Sequence, residues 1–226
     1  MPGVFISGTD TGVGKTRVGC ALVHALRARG MRVGVMKPVE TGVEEAGPQD
    51  ALALARAANR SDALAEISPL RFALPTAPSV AAKAEGRTID IDQLLKGFET
   101  LEQNCDWLLV EGAGGLRVPL SPGCDMIDLA ERMALPILIV ARASLGTINH
   151  TLLSLGAIEE RGLSLAGVVI SYPGGPVSPP DRANLSALME ALGDRLLGVL
   201  PPLAEGQDPP DDWIDLDRLL VKTPPG

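Results

Sequence analysis

The chain has 226 residues, enough for one sizeable core, and hydrophobic residues make up 46% of it, which excludes a disordered chain. Aromatic residues are only 3%, so the core must be aliphatic, which argues against a base-stacking nucleic-acid surface. The formal net charge is −8, and no basic face for nucleic acid or anionic lipid stands out.

Six acids fall between residues 205 and 217 (Glu205, Asp208, Asp211, Asp212, Asp215, Asp217) with no Lys or Arg among them, and they read as a solvated surface. Cys20, Cys105 and Cys124 form no Cys-x-x-Cys pair, and the two histidines, His24 and His150, lie far from any such pair. This usage fits a reducing cytosol, with neither a disulfide framework nor a zinc site. The N-terminus lacks a basic region followed by an apolar run, and no stretch is long and apolar enough to span a bilayer. A cytoplasmic protein is expected, with neither membrane nor nucleic acid as partner.

Taken in chain order, the first element is an apolar run at Val4–Ser7, which reads as a strand. Residues 4–16 are VFISGTDTGVGKT: strand, glycine-containing turn, then a helix beginning near Lys15. This is the setting a phosphate loop needs. Backbone N–H groups of Gly12, Val13 and Gly14 and the helix N-terminus face phosphates, Lys15 reaches the β and γ groups, and the Thr16 hydroxyl ligates Mg²⁺. The usual G-x4-G-K-[ST] spacing fails, because Thr9 stands five before Gly14 and the nearest glycine is Gly8, one further back. The helix spans Thr16–Arg29, with Val18, Leu22, Ala25 and Leu26 on one face.

The next strand, Arg32–Val39, ends in VGVMKPVETG and delivers Lys37 from its C-terminal end toward the phosphate loop. A helix follows at Gln49–Ala58 and opens with Asp50, an acid that the helix dipole favours on general grounds. Segment Ser68–Arg87, with three prolines, reads as a loop. Strand Trp107–Glu111 leads into WLLVEGAGG, which puts Glu111 where a Walker-B acid stands and lets Gly112, Gly114 and Gly115 approach a ligand closely, with Ala113 between them as a further nucleotide contact.

Strands at Pro136–Ala141, Leu165–Ser171 and Leu196–Leu200 alternate with helices at Thr147–Arg161 and Asp181–Leu192. Tyr172–Pro180 reads as a loop, and a short helix is expected at Trp213–Leu220. Strands apolar at consecutive positions, alternating with helices, imply an α/β fold: a doubly wound, mostly parallel sheet flanked by helices. No linker divides residues 1–226, so a single domain with an acidic, proline-bearing C-terminal segment at about 204–226 is expected.

These motifs together resemble the dethiobiotin synthetase family of P-loop NTPases, in unbroken order over roughly residues 1–205. GTDTGVGKT carries that family's extra offset, MKPVETG resembles its Lys-Pro-Val-x-Thr/Ser-Gly motif, and VEGAGG followed by VPL and LGTINH match further segments. The resemblance implies Mg²⁺ held by Thr16, Asp50 and Glu111, with ATP as co-substrate. It assigns Lys37 to a carbamate and the transferring phosphoryl group, beside Lys15. Thr11, Thr41 and Gly115 fall to substrate, and Arg17 to the nucleotide. Asn149, at the start of a helix, would receive a substrate carboxylate across a homodimer interface.

The same resemblance implies the chemistry: ATP-dependent CO2 insertion between the two amines of 7,8-diaminononanoate. For the base it implies contacts at Ser171, where the family usually has Asn, and at Pro201, Pro202 and Leu203. A serine offers one hydroxyl in place of an amide donor and acceptor, so looser discrimination among nucleoside triphosphates is expected. Ser79 stands where the family often has His, in PTAPSVAA, which reads equally as a proline-kinked surface loop.

Two alternatives share the fold: a partition-type switch ATPase and a cobyrinate-type ligase. Asp10 stands where the first normally has its hallmark lysine, and the chain is short for the glutaminase domain that the second usually carries.

Overall fold

Val4, Phe5 and Ile6 have no solvent exposure. Alternate side chains of a strand face opposite ways, so β1 (Gly3–Gly8) needs apolar cover on both faces. The same requirement recurs along the chain. The computed structural model describes residues 2–60, 62–172, 178–203, 207 and 209–223.

After β1 come α1 (Lys15–Ala28), β2 (Val33–Met36), β3 (Val39–Thr41), α2 (Gln49–Ala58), the one-turn α3 (Leu64–Ile67), β4 (Leu70–Phe72), α4 (Pro78–Ala84) and α5 (Ile91–Glu102). Then follow β5 (Trp107–Gly115), β6 (Pro119–Ser121), β7 (Cys124–Asp125), α6 (Met126–Arg132), β8 (Ile137–Arg142), α7 (Thr147–Glu160), β9 (Leu165–Ser171), α8 (Pro179–Leu192), β10 (Leu196–Leu200) and α9 (Leu216–Lys222). The main sheet runs β10-β9-β8-β1-β5-β2, and every neighbouring pair is parallel. The expected α/β architecture is therefore observed.

Two apolar layers flank the sheet. On one face Val4, Ile6, Val35 and Leu109 meet Val18, Leu22 and Leu26 of α1, Leu54 of α2 and Leu219 of α9. On the other, Phe5, Met36, Val110 and Ile139 meet Leu94 and Phe98 of α5, Ile127 of α6 and Ile158 of α7. Each such fully buried side chain contributes about 1.5–3 kcal/mol. From β1 the chain passes to one side of the sheet, and from β5 it crosses back past β1 to β8. The loops leaving β1 and β5 therefore open on a common crevice at the C-terminal ends of the strands.

Four expectations are corrected. The strand read as Arg32–Val39 breaks at Lys37-Pro38: β2 stays in the main sheet, while β3 pairs with β4 in a small parallel sheet of its own. Pro38 has no N–H to give a ladder, and the Lys37 N–H donates to the Ile67 carbonyl. Ser68–Arg87 is not all loop, because Leu70 and Phe72 are buried in β4, and Pro78 occupies the first turn of α4, where proline is tolerated.

Two helices, α5 and α6, were not among those expected. Asp90 caps the first by accepting from the Asp92 and Gln93 amides, and an Asp125–Asp128 capping box starts the second. The C-terminal helix begins at Leu216, later than expected, where the Asp215 side chain accepts from the Arg218 amide.

In the C-terminal segment Asp211, Asp212, Asp215 and Asp217 are exposed as expected, while Trp213, Ile214 and Leu216 cover the α1 side of the core. Glu205 and Asp208, and most of the expected Tyr172–Pro180 loop, lie outside the described residues.

Candidate active site

The loop between β1 and α1 turns on two glycines. Gly14 adopts φ 93°, a left-handed conformation, and an added Cβ would lie 2.6 Å from the Ser171 hydroxyl. A Cβ on Gly8 would lie 2.6 Å from the Asp10 carbonyl oxygen and 3.1 Å from that of Gly114. The offset glycine thus lets the loop fold back against β5. No side chain caps α1, and its first turn carries no acid, which suits an anion at the helix N-terminus.

Beside this loop is a cavity of about 310 Å³, lined by Thr11, Gly12, Gly14, Lys15, Thr16, Arg17, Lys37, Glu40, Thr41, Asp50, Glu111, Ala113 and Gly114 among others. Most residues expected at the phosphate end therefore meet. The Val13 side chain is wholly buried in the core, which leaves only its backbone for a ligand. Gly112 contributes its carbonyl, 3.4 Å from Lys37 Nζ, and Gly115 pairs with Gly8 across the β1–β5 ladder.

Lys37 is the hub. Its Nζ lies 2.5 Å from Glu111 Oε1 and 3.0 Å from Asp50 Oδ2, with the lysine 3% and the glutamate 0% exposed. Burial alone would depress the Lys37 ammonium, but Glu111 and Asp50 outweigh it and hold it above its ordinary value. Burial likewise works against the Asp50 carboxylate, yet Lys37, Thr16 and Lys15 keep it below the usual range. Lys15 has no such partner among the described residues. Burial, then the neighbouring charge of Lys37, lowers it from 10.5 to about 8.

The Thr16 hydroxyl donates to Glu111 Oε1 at 2.9 Å. Glu111 Oε2 is buried and has no partner among the described residues. No group of three His, Cys, Asp or Glu side chains suited to a metal occurs among the described residues. A hydroxyl and two carboxylates remain, an all-oxygen set with one unsatisfied buried oxygen. Such a set fits Mg²⁺, which binds few protein carboxylates and completes its shell with phosphate and water.

Beyond Arg17 the architecture changes. The Arg17 guanidinium donates to the carbonyls of Tyr172 at 2.9 Å, Pro201 at 3.2 Å and Leu203 at 3.4 Å, tying α1 to the segments after β9 and β10. Pro202 is exposed, whereas Ser171 is fully buried behind Gly14 with no partner for its hydroxyl among the described residues.

Asn149 is exposed in the first turn of α7 and does not line the cavity. Ser79 lies on α4 beside a separate groove. The three cysteines are half-buried free thiols, and burial and then Glu111 push that of Cys20 up to about 12.

Two residues escaped the sequence reading. Glu40, 6% exposed, accepts from the Asp50 and Ala51 amides at 2.9 and 3.0 Å. An acid inside a buried strand, between Lys37 and Thr41, was the available signal. Arg142 ends β8 with its guanidinium 3.7 Å from Asp10, the residue that stands in place of a hallmark lysine.

Comparison with known proteins bears on this site. An AAA-domain family model matches residues 2–209. ATP-dependent dethiobiotin synthetase BioD of Anaeromyxobacter dehalogenans strain 2CP-C is 43% identical over 201 residues, covering 89% of this chain and 90% of that protein. The protein of the same name in Thermodesulfovibrio yellowstonii is 40% identical over 220 residues, 90% of each. BioD 1 of Escherichia coli O157:H7 is 39% identical over 211 residues, 90% of this chain and 92% of that protein.

Among solved structures, the MinC:MinD cell division complex of Aquifex aeolicus superposes with a TM-score of 0.55 at 15% identity, covering 99% of this chain and 87% of that one. A putative plasmid partition protein of Borrelia burgdorferi B31 bound to AMPPNP gives 0.52 at 13%, covering 98% and 97%. Those two likenesses concern the fold alone and account for the partition-type alternative. The motifs running through the cavity, and the identity that accompanies them along nine-tenths of the sequence, distinguish this chain from its fold neighbours: it belongs to the ATP-dependent dethiobiotin synthetase family.

Proposed function

We propose that this protein closes a cyclic urea on 7,8-diaminononanoate with CO2 and ATP, forming dethiobiotin, ADP and phosphate, as a cytoplasmic homodimer. The observation that carries the proposal is Lys37 Nζ, buried between Glu111 and Asp50 beside a phosphate loop. One neutral amine of the substrate adds CO2 and loses a proton to give a carbamate. A carbamate oxygen attacks the γ-phosphorus, and ADP leaves. The second amine then attacks the carbon of the mixed anhydride, phosphate leaves, and the five-membered ring is closed.

No protein nucleophile is needed, so the residues position groups and neutralise charge. Lys15 and the α1 N-terminus bind the phosphates, and Lys37 offsets charge on the carbamate and the transferring group. Thr11 and Thr41, both on the cavity wall, hold the amine or carbamate by hydrogen bonds. Mg²⁺, held by Thr16, Asp50 and Glu111, would supply charge neutralisation at the phosphates. Pro201, Pro202 and Leu203 border the base.

Dimerisation would bring Asn149 to the substrate of the partner, with a two-fold axis near α7. Support comes from Leu145, two residues before that helix, and Leu153, at its middle, which are 74% and 65% exposed. Among the described residues no helix is long and apolar enough to cross a membrane.

The test is phosphate release with ATP, Mg²⁺, bicarbonate and diaminononanoate, omitting each in turn. Release should require all four, and release indifferent to the diamine would favour a switch ATPase. Sedimentation at assay concentration checks the dimer, which a dilute monomer of full activity would refute.

A further inference from the structure

Helix α2 presents Asp50 to the site, yet it starts on Pro48, which caps it with no side-chain hydrogen bond. A helix N-cap normally satisfies the amides two and three residues on, here those of Asp50 and Ala51. Both are taken instead by one carboxylate from another element: Glu40 Oε1 accepts from Asp50 and Oε2 from Ala51. Glu40 sits on β3, three residues after Lys37 and next to Thr41. A single short segment therefore carries the hub lysine, the clamp on α2 and a cavity-wall hydroxyl.

Keeping this carboxylate buried, at 6% exposure, is costly, because a charged group taken out of water must recover its solvation from the partners it finds. A local Ser or Asp at position 48 would cap α2 more cheaply. What a local cap cannot do is fix the helix relative to β3 and hence to Lys37.

We propose that Glu40 is a positioning residue for the metal site: it tethers the N-terminus of α2 to β3 so that Asp50 is held at the distance from Lys37 and Thr16 at which Mg²⁺ is bound. This rests on the reading of Asp50 as a metal ligand.

The experiment measures Mn²⁺ binding by electron paramagnetic resonance, with a non-hydrolysable ATP analogue present, together with Tm. Asp50→Asn is the reference and should weaken Mn²⁺ binding at least about 10-fold, the scale on which changes to a metal's ligands and their hydrogen-bond partners act. Glu40→Ala should weaken it about 10-fold and lower Tm. Adding Pro48→Asp to Glu40→Ala supplies a local cap, so Tm should recover while Mn²⁺ affinity does not. Glu40→Gln, which keeps one acceptor oxygen, should fall between.

Recovery of both Tm and Mn²⁺ affinity in the double variant would reduce Glu40 to an ordinary cap and overturn the tether. Wild-type Mn²⁺ affinity in Glu40→Ala would overturn it outright. If Asp50→Asn binds Mn²⁺ normally, the metal reading itself fails, and the tether fails with it.

Discussion

At the phosphate end of the cavity Lys15, Lys37, Glu40, Asp50 and Glu111 converge, and all of them but Asp50 are buried. Past Arg17, the segments after β9 and β10 offer backbone instead: three carbonyls gathered by one guanidinium, and a serine hydroxyl with no partner among the described residues. The first region fixes geometry through charge in a dry setting, where removing one partner leaves another uncompensated. The second fixes it through main chain, which most substitutions leave in place. Chemistry at the phosphate should therefore be sensitive to single side chains, and recognition at the far end should be tolerant of them.

The largest expected effect is that of Lys37→Ala, which should lower kcat by about 10²–10³-fold, the scale of losing one charge-stabilising donor. Steady-state phosphate release measures it, and near-wild-type turnover would remove Lys37 from the mechanism. Next, Arg17→Ala should release the three carbonyls and raise KM for ATP about 10-fold, the scale of hydrogen bonds to a charged group. Its kcat should change little, because nothing at the phosphate cluster is touched. A kcat loss as large as that of Lys37→Ala would erase the distinction between the two regions.

A smaller effect concerns protons. Lys15 lies near 8 in the nucleotide-free protein, below its ordinary 10.5. The unfolded chain therefore holds more protons between those values, and stability should rise with pH across that window. Phosphates raise the lysine again, so binding of ATP at pH 8 should take up about half a proton. Calorimetry in buffers of differing ionisation enthalpy reads this directly, and zero uptake would mean that Lys15 is fully charged without ligand.

The smallest effect is expected at Ser171. Its buried hydroxyl has no described partner, so Ser171→Ala should change the ATP-to-GTP ratio of kcat/KM by less than about 2-fold. Preference for ATP over GTP should be weak in the wild type for the same reason. A larger change would show that the base is read by a side chain at that position.

Much of this molecule follows from local pattern. Apolar residues at consecutive positions announced the strands of the main sheet, and GTDTGVGKT, MKPVETG and VEGAGG announced Lys15, Thr16, Lys37 and Glu111, because such chemistry needs those residue types next to strand ends and turns. Helices α5 and α6 carried readable caps at Asp90 and Asp125. By contrast, an acid in an apolar strand hints that Glu40 is buried but nothing local says which groups it serves, and nothing local distinguishes Pro38 as a strand interior from Pro38 as a change of sheet, or Ser171 on an open wall from Ser171 behind Gly14.

Those three depend on which segments the fold brings together from far apart in sequence: β3 against the start of α2, Lys37 against Ile67, and β9 against the phosphate loop. Residue type and spacing set what a side chain is able to do. Only tertiary packing decides which partner removes its water and takes its hydrogen bonds, and that choice separates a buried clamp on a helix N-terminus from an exposed acid.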